Sequence, residues 1–167
     1  MSESTLVVLF MQEVFGAAND PETINNVEKL ILEAKANGNG IIFVELPYYS
    51  PIDDEPYPPT HKRLTDHVVK YDRGRRVDLY SRYAIRSIYY RDSDASSMVA
   101  GTAVEREFAL ENVIVCGVNT DLGVLDSVLG LAKRLPKSEI SVVMDACNTL
   151  YDKDCWDKFK PLNIRLI

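Results

Sequence analysis

Residues 112–134 read NVIVCGVNTDLGVLDSVLGLAKR, and this stretch decides the fold. Its first seven residues are nearly all apolar and show no strict alternation, the pattern of a strand covered on both faces. Asn119, Thr120 and Asp121 then make a polar turn, after which Leu122, Leu125, Val128 and Leu129 recur at helical spacing. A buried strand feeding straight into a helix is half of a strand–helix–strand unit, the building block of parallel sheets. The turn would lie at a helix amino terminus, where unpaired backbone N–H groups suit an anion or a developing oxyanion. Thr120 or Asp121 can equally act as a plain helix cap there.

The same alternation runs through the rest of the chain. TLVVLFM (5–11) and GIIFVEL (40–46) read as buried strands. Between them Ile24, Val27, Leu30, Ile31 and Ala34 form the apolar stripe of a helix that Asp20 can cap and Gly38 can end. Residues 47–60 hold five prolines and read as a loop. Thr60 is placed to cap a short helix through Tyr71, RSIYYR (86–91) reads as a strand, and Thr102 is placed to cap a helix carrying Val104, Phe108 and Ala109. ISVVMDAC (140–147) is a further strand, 152–159 a short helix and NIRLI (163–167) a terminal strand. The order predicts a single α/β domain over 1–167, three-layer and doubly wound (Rossmann-like), with a mainly parallel sheet of about six strands.

Bulk composition agrees with one folded domain. Apolar residues make up 46% and charged residues 26% of the 167 residues, an ordinary globular balance. No apolar run approaches the roughly 18 residues of a membrane span, and the first residues do not read as a secretory signal, so a cytoplasmic protein is expected. Cys116, Cys147 and Cys155 are odd in number and not spaced as metal pairs, so they are expected to stay thiols. The net charge of −6 is unevenly spread: Lys62 to Arg91 holds nine Lys or Arg against three Asp, leaving −12 elsewhere. The Arg/Tyr-rich segment 70–91 suits an oligomer contact, a solvated face or a small anionic ligand reached by Arg75, Arg76, Arg82, Arg86 and Arg91. A pI near 5.0 argues against nucleic acid as a partner.

In doubly wound folds ligands sit beyond the carboxyl ends of the strands, where the sheet order reverses. That gathers the residues after Met11 and Leu46, around Arg91, and after Val118 and Cys147 about one crevice. Three blocks carry a family likeness: LVVLFMQEVF (6–15), MVAGTAVEREFALENVIVCGVNTDLGV (98–124) and ISVVMDACNT (140–149). Together they resemble the isochorismatase-like cysteine hydrolases, which include isochorismatases, nicotinamidases and carbamoyl-amide hydrolases. The resemblance implies a catalytic aspartate, lysine and cysteine, with the thiol attacking a carbonyl and backbone amides holding the oxyanion. In this chain the aspartate position falls on Phe10 and the cysteine position on Gly123. The lysine position falls on Arg91, with Lys70 as its rival. A phenyl ring cannot accept a proton, a glycine cannot attack, and an arginine stays protonated.

Gln12, Arg91, Asn119, Thr120 and Asp121 remain candidate ligand contacts. Cys116, Cys147, Cys155, Ser96 and Ser97 are the candidate replacement nucleophiles; Asp92 or Asp94 could orient a group there, and Glu13 could stand in for the lost base. The resemblance also brings in the metal site of some nicotinamidases. Here Asp53, Asp54, Glu55 and His61 lack the Asp-x-His spacing of that site, so no metal is expected. No glycine-rich nucleotide signature follows the first strand, so no cofactor is expected. A homo-oligomer or a protein complex is implied by the resemblance. The reading is a catalytically inactive family member that binds a small ligand or serves assembly. The first alternative is a hydrolase of a small amide or vinyl ether with relocated catalytic groups; the second is anion or nucleic-acid binding through 70–91.

Overall fold

The computed structural model describes residues 3–46, 60–79, 94–160 and 163–167. The described residues form six strands and four α-helices in the order β1 (Thr5–Leu9), α1 (Pro21–Ala36), β2 (Gly40–Glu45), α2 (Lys62–Val69), β3 (Gly74–Asp78), α3 (Ser96–Glu105), β4 (Asn112–Val118), α4 (Leu125–Arg134), β5 (Glu139–Asn148) and β6 (Arg165–Leu166). The strands form one sheet in the order β3-β2-β1-β4-β5-β6, and every pairing is parallel. The order reverses between β1 and β4, so the chain is a doubly wound α/β domain with its switch point there. α1 packs with α2 and α3 with α4, supplying the helix layers that cover the sheet.

Burial explains why the central strands read as unbroken apolar runs. All residues of β1 and β2 are buried, as parallel strands covered on both faces must be. The α1 stripe behaves as its spacing requires: Val27, Ile31 and Ala34 are buried, with Ile24 and Leu30 packed against them. Asp20 caps α1 by accepting the Thr23 N–H at 2.8 Å, and Gly38, at φ 71°, turns the chain out of the helix.

Several boundaries differ from expectation, each for a local reason. The strand after α2 is β3, the basic GRRVD of 74–78; it escapes an apolar-run criterion because it is an edge strand and needs only one covered side. The expected strand at 86–91 lies outside the described residues. Thr60 does not cap α2; its hydroxyl donates instead to the Glu45 carboxylate at 2.6 Å. Thr102 lies inside α3, which begins at Ser96, and its carbonyl accepts the Arg106 N–H in the closing turn. β1 ends at Leu9 rather than Met11, because Phe10 has φ 56° and turns the chain off the sheet. The helix expected at 152–159 is a single 3-10 turn, Cys155–Lys158. The β4–β5 register shifts in mid-strand: Val115 pairs with Val142 but Gly117 pairs with Cys147, leaving 143–146 opposite Cys116 alone.

Candidate functional site

The crevice lies where the ends of β1 and β4 part. Leu9 pairs with Gly117, so Phe10 and Val118 are the first residues beyond the shared register. Gly117 has φ 126°, and any Cβ there would collide with the Leu9 carbonyl, so only glycine allows the two strands to run this close. The Val118–Asn119 peptide is cis. The Asn119 carbonyl then accepts the N–H groups of Leu122 and Val124 at 3.1 and 3.2 Å, which winds Thr120–Val124 into a π turn before α4 begins at Leu125.

Phe10 projects from the β1 side. Its N–H donates to the Val44 carbonyl at 2.9 Å and its carbonyl accepts the Gln12 N–H at 2.8 Å, which fixes the turn at both sides of the residue. The residue is 2% exposed. Its ring atoms Cε2 and Cδ2 lie 2.5 and 2.6 Å from where a Cβ on Gly123 would sit. The two positions at which the family resemblance places base and nucleophile are therefore in contact here, ring against bare backbone.

The flanking side chains are largely engaged with their own chain. The Gln12 amide donates to the Leu46 carbonyl and accepts the Leu46 N–H, both at 2.7 Å, closing the ends of β1 and β2 together. Asp121 is not a helix cap: its carboxylate accepts the Thr149 hydroxyl at 2.6 Å and the Asp152 N–H at 3.1 Å. It thereby straps the loop after β5 to the turn after β4, a bond that no local sequence pattern announces. Asn148 adds a second tie by donating to the Ala17 carbonyl at 3.1 Å. Thr120 is buried and Asn119 half-buried at the turn itself.

The three cysteines and Ser96, among the candidate replacement nucleophiles, are poorly placed to attack. Cys116 is wholly enclosed in β4, and burial, then the neighbouring Cys147, hold its thiol well above the ordinary range. Burial pushes the Cys147 thiol up to about 12, with Cys155 and Asp145 adding to it and the Gly117 backbone bond opposing it. Cys155 is raised by burial and then by Asp121 and Asp152. A protonated, enclosed thiol is a poor nucleophile. The buried Ser96 hydroxyl accepts a bond from Arg134 Nε at 3.0 Å, and its N–H donates to the Asp94 carboxylate at 2.8 Å. Ser97 is exposed on α3.

The charged candidates divide by position. Lys70 follows α2, next to the start of β3, at the opposite end of the sheet from Phe10 and Gly123. Arg91, Arg82, Arg86 and Asp92 lie outside the described residues. Arg76 is committed to Glu45, whose Oε1 accepts its Nε at 3.0 Å and its Nη2 at 2.7 Å. Arg75 donates to the carbonyls of Asp72 and Gly74 at 3.1 and 2.7 Å. Glu13 is exposed and faces His61 Nδ1 at 3.8 Å. Among the described residues no three His, Cys, Asp or Glu side chains converge as a metal-binding set, and Asp53, Asp54 and Glu55 lie outside them.

A parallel sheet of this order, with its crevice at the β1–β4 switch point, defines a three-layer Rossmann-like α/β protein. The chain belongs to the isochorismatase family: the Isochorismatase domain model matches residues 4–159. No curated protein gives a significant sequence match. Among solved structures it is similar to the nicotinamidase of Staphylococcus aureus, with TM-score 0.71, 16% identity and 100% of each chain covered. It is likewise similar to the pyrazinamidase of Pyrococcus horikoshii, solved in complex with zinc (TM-score 0.71, 19% identity, 99% of each chain). A third is the ycaC gene product of Escherichia coli, described as an octameric hydrolase of unknown specificity (TM-score 0.73, 15% identity, 99% of this chain and 74% of that one). At these identities the likeness speaks for the fold.

Proposed function

We propose that this chain is a member of the isochorismatase family that does not hydrolyse through the family's cysteine route and acts instead in small-ligand binding or in assembly. The observation that carries the reading is the Phe10–Gly123 contact. The covalent route needs a base and a nucleophile facing each other across a space that admits a carbonyl. Here the first position holds an uncharged ring, the second holds no side chain, and the ring takes up the space between them. Loss of cooperating groups of a hydrolytic set costs about 10⁶ in turnover in the subtilisin example, and the oxyanion-type turn alone supplies little.

The solved relatives are described as hydrolases, which on its own favours the alternative of a hydrolase with relocated groups acting on a small amide or vinyl ether. Against that alternative stand the raised thiols and the Ser96 hydroxyl bonded to Arg134. We further propose a cytoplasmic, self-assembling protein, a reading supported by the octameric relative; no helix of the described residues is long and apolar enough to cross a membrane. The test is hydrolysis of a panel of small amides, esters and vinyl ethers by the native protein. The expected rate is that of buffer. Turnover above it that disappears in Cys116→Ala or Ser97→Ala, with folding intact, would establish the relocated site instead.

A further inference from the structure

We infer that the groove between α1 and the β5–β6 edge of the sheet is a two-fold interface with a second copy of this chain, in which each copy seats Met144 and Ile167 against the other's groove and sets its Lys29 against the other's Asp145. The inference rests on the assembly half of the reading above and adds the surface and its partner. It takes nothing from the crevice.

The groove measures about 500 Å³ and is lined by Leu30 of α1 and Val143 of β5, both half-buried. Met144 and Ile167 also line it, 38% and 51% exposed, so two large apolar side chains stand in water on one small stretch of surface. They are held side by side: the Met144 N–H donates to the Ile167 carbonyl at 2.7 Å, and the Ile167 N–H donates to the Val142 carbonyl at 3.0 Å. Asn26 ties α1 to the same stretch by donating its amide to the Asp145 carbonyl at 2.7 Å. Met144 and Asp145 belong to the residues that the β4–β5 register shift leaves without β4 partners of their own, which is how they come to face outward. Apolar groups fixed in water at a shallow recess are the mark of a contact surface, since a partner recovers the burial they forgo.

The charges say which partner. Lys29, Glu33 and Asp145 line the same groove, and among the described residues none of the three side chains forms an ion pair. Lys29 precedes Glu33 by four residues on α1, the weaker order for a pair along a helix. A surface carrying both signs, with a recess and apolar side chains beside it, is complementary to itself. Under a two-fold axis each Lys29 meets a carboxylate of the other copy and the contact is made twice. A partner of a single sign would instead set like charge against either Lys29 or the two carboxylates. The net charge of −6 makes two copies repel at long range, so association needs a local match of this kind.

Sedimentation velocity of the full chain over a dilution series is the test. The native protein should associate, and Met144→Glu and Ile167→Asp should each raise the dissociation constant by at least about tenfold. Lys29→Glu should raise it as well, and Lys29→Glu combined with Asp145→Lys should bring it back, because the reversed pair meets across the axis. Val104→Glu, at a position of α3 that is 71% exposed, should leave association unchanged. All of these positions are exposed, so the variants should keep the fold, which circular dichroism checks. Should Ile167→Asp disturb β6, Met144→Glu and the charge reversal decide. An assembly that survives Met144→Glu and Lys29→Glu unchanged overturns the interface and leaves self-assembly through another surface. A double variant as weak as Lys29→Glu alone overturns the two-fold pairing. A native chain that stays monomeric overturns interface and self-assembly together and leaves the groove to a different partner. Hydrolysis by a native dimer would strike the catalytic half of the proposed function and leave the interface standing.

Discussion

The ring of Phe10 occupies the place that a side chain on Gly123 would need, with Cε2 2.5 Å and Cδ2 2.6 Å from the Cβ position. Two residues 113 positions apart in the chain thus form one packing unit at the switch point. The two positions at which the family resemblance places base and nucleophile are not independent in space: the ring at one is accommodated because the other is bare.

Installing a thiol alone should therefore fail. Gly123→Cys forces its Cβ into the Phe10 ring, and overpacking of this kind costs about 1–3 kcal/mol. Urea unfolding should show that loss, and the variant should hydrolyse no amide of the panel. Adding Phe10→Asp removes the clash but gives up the buried ring and encloses a carboxylate in its place, so the double variant should stay less stable than the native protein. Turnover by Gly123→Cys on its own would show that the ring moves aside readily.

The thiols should be silent towards mild reagents. Cys147 is pushed up to about 12, and burial raises Cys116 and Cys155 above the ordinary 9.0, so the thiol form prevails at all three at pH 8. Ellman's reagent should label none of them quickly in the native state and all three after denaturation. Rapid labelling of a single cysteine at pH 8 would single out a candidate nucleophile.

Acid should weaken the seam between α1 and α2. Arg63 first, and His67 second, hold the Glu28 carboxyl below its ordinary 4.5. A group whose folded value is depressed contributes fully above its unfolded value, and that contribution is lost as pH falls through the folded value. Asp20 shifts the same way through its bonds from Thr23. Stability should hold at pH above about 5 and decline below about 4.5, and Glu28→Gln should flatten that decline. A Glu28→Gln profile that parallels the native one would show that the seam does not couple to folding.

At the edge of the sheet, Glu45 carries a partly buried ion pair. Its side chain is 10% exposed and that of Arg76 35%. Removing one partner of a fully buried pair costs about 3–5 kcal/mol, and the access of Arg76 to water reduces that to about 1–2 kcal/mol for Arg76→Ala. Thermal unfolding measures it. No change would mean that the Thr60 hydroxyl bond alone satisfies the carboxylate.

Much of this architecture is legible in the sequence because parallel strands covered on both faces must be apolar throughout. TLVVL and GIIFVE could hardly be read otherwise, and Asp20 and Gly38 mark the ends of α1 by side-chain chemistry alone. β3 was hidden because an edge strand can carry arginines, and its pairing with β2 is a long-range bond pattern with no local signal. At the candidate site the sequence offers positions but no geometry. Phe10 and Gly123 each stand out against the family resemblance, yet their contact depends on where two strands end and on the turn at φ 56°. Asp121 reads as a cap from its place after a strand, whereas its actual partners, Thr149 and Asp152, come from the loop after another strand.

The most direct measurement is a double-mutant cycle of Phe10→Ala and Gly123→Ala by equilibrium urea unfolding. Phe10→Ala should cost about 3–5 kcal/mol and Gly123→Ala about 1–3 kcal/mol in the native background. With the ring gone, the Gly123→Ala cost should vanish or become a gain, giving a coupling of at least about 1 kcal/mol. Additivity within about 0.5 kcal/mol would contradict the account, because it would mean that Phe10 and Gly123 do not share the space at the switch point.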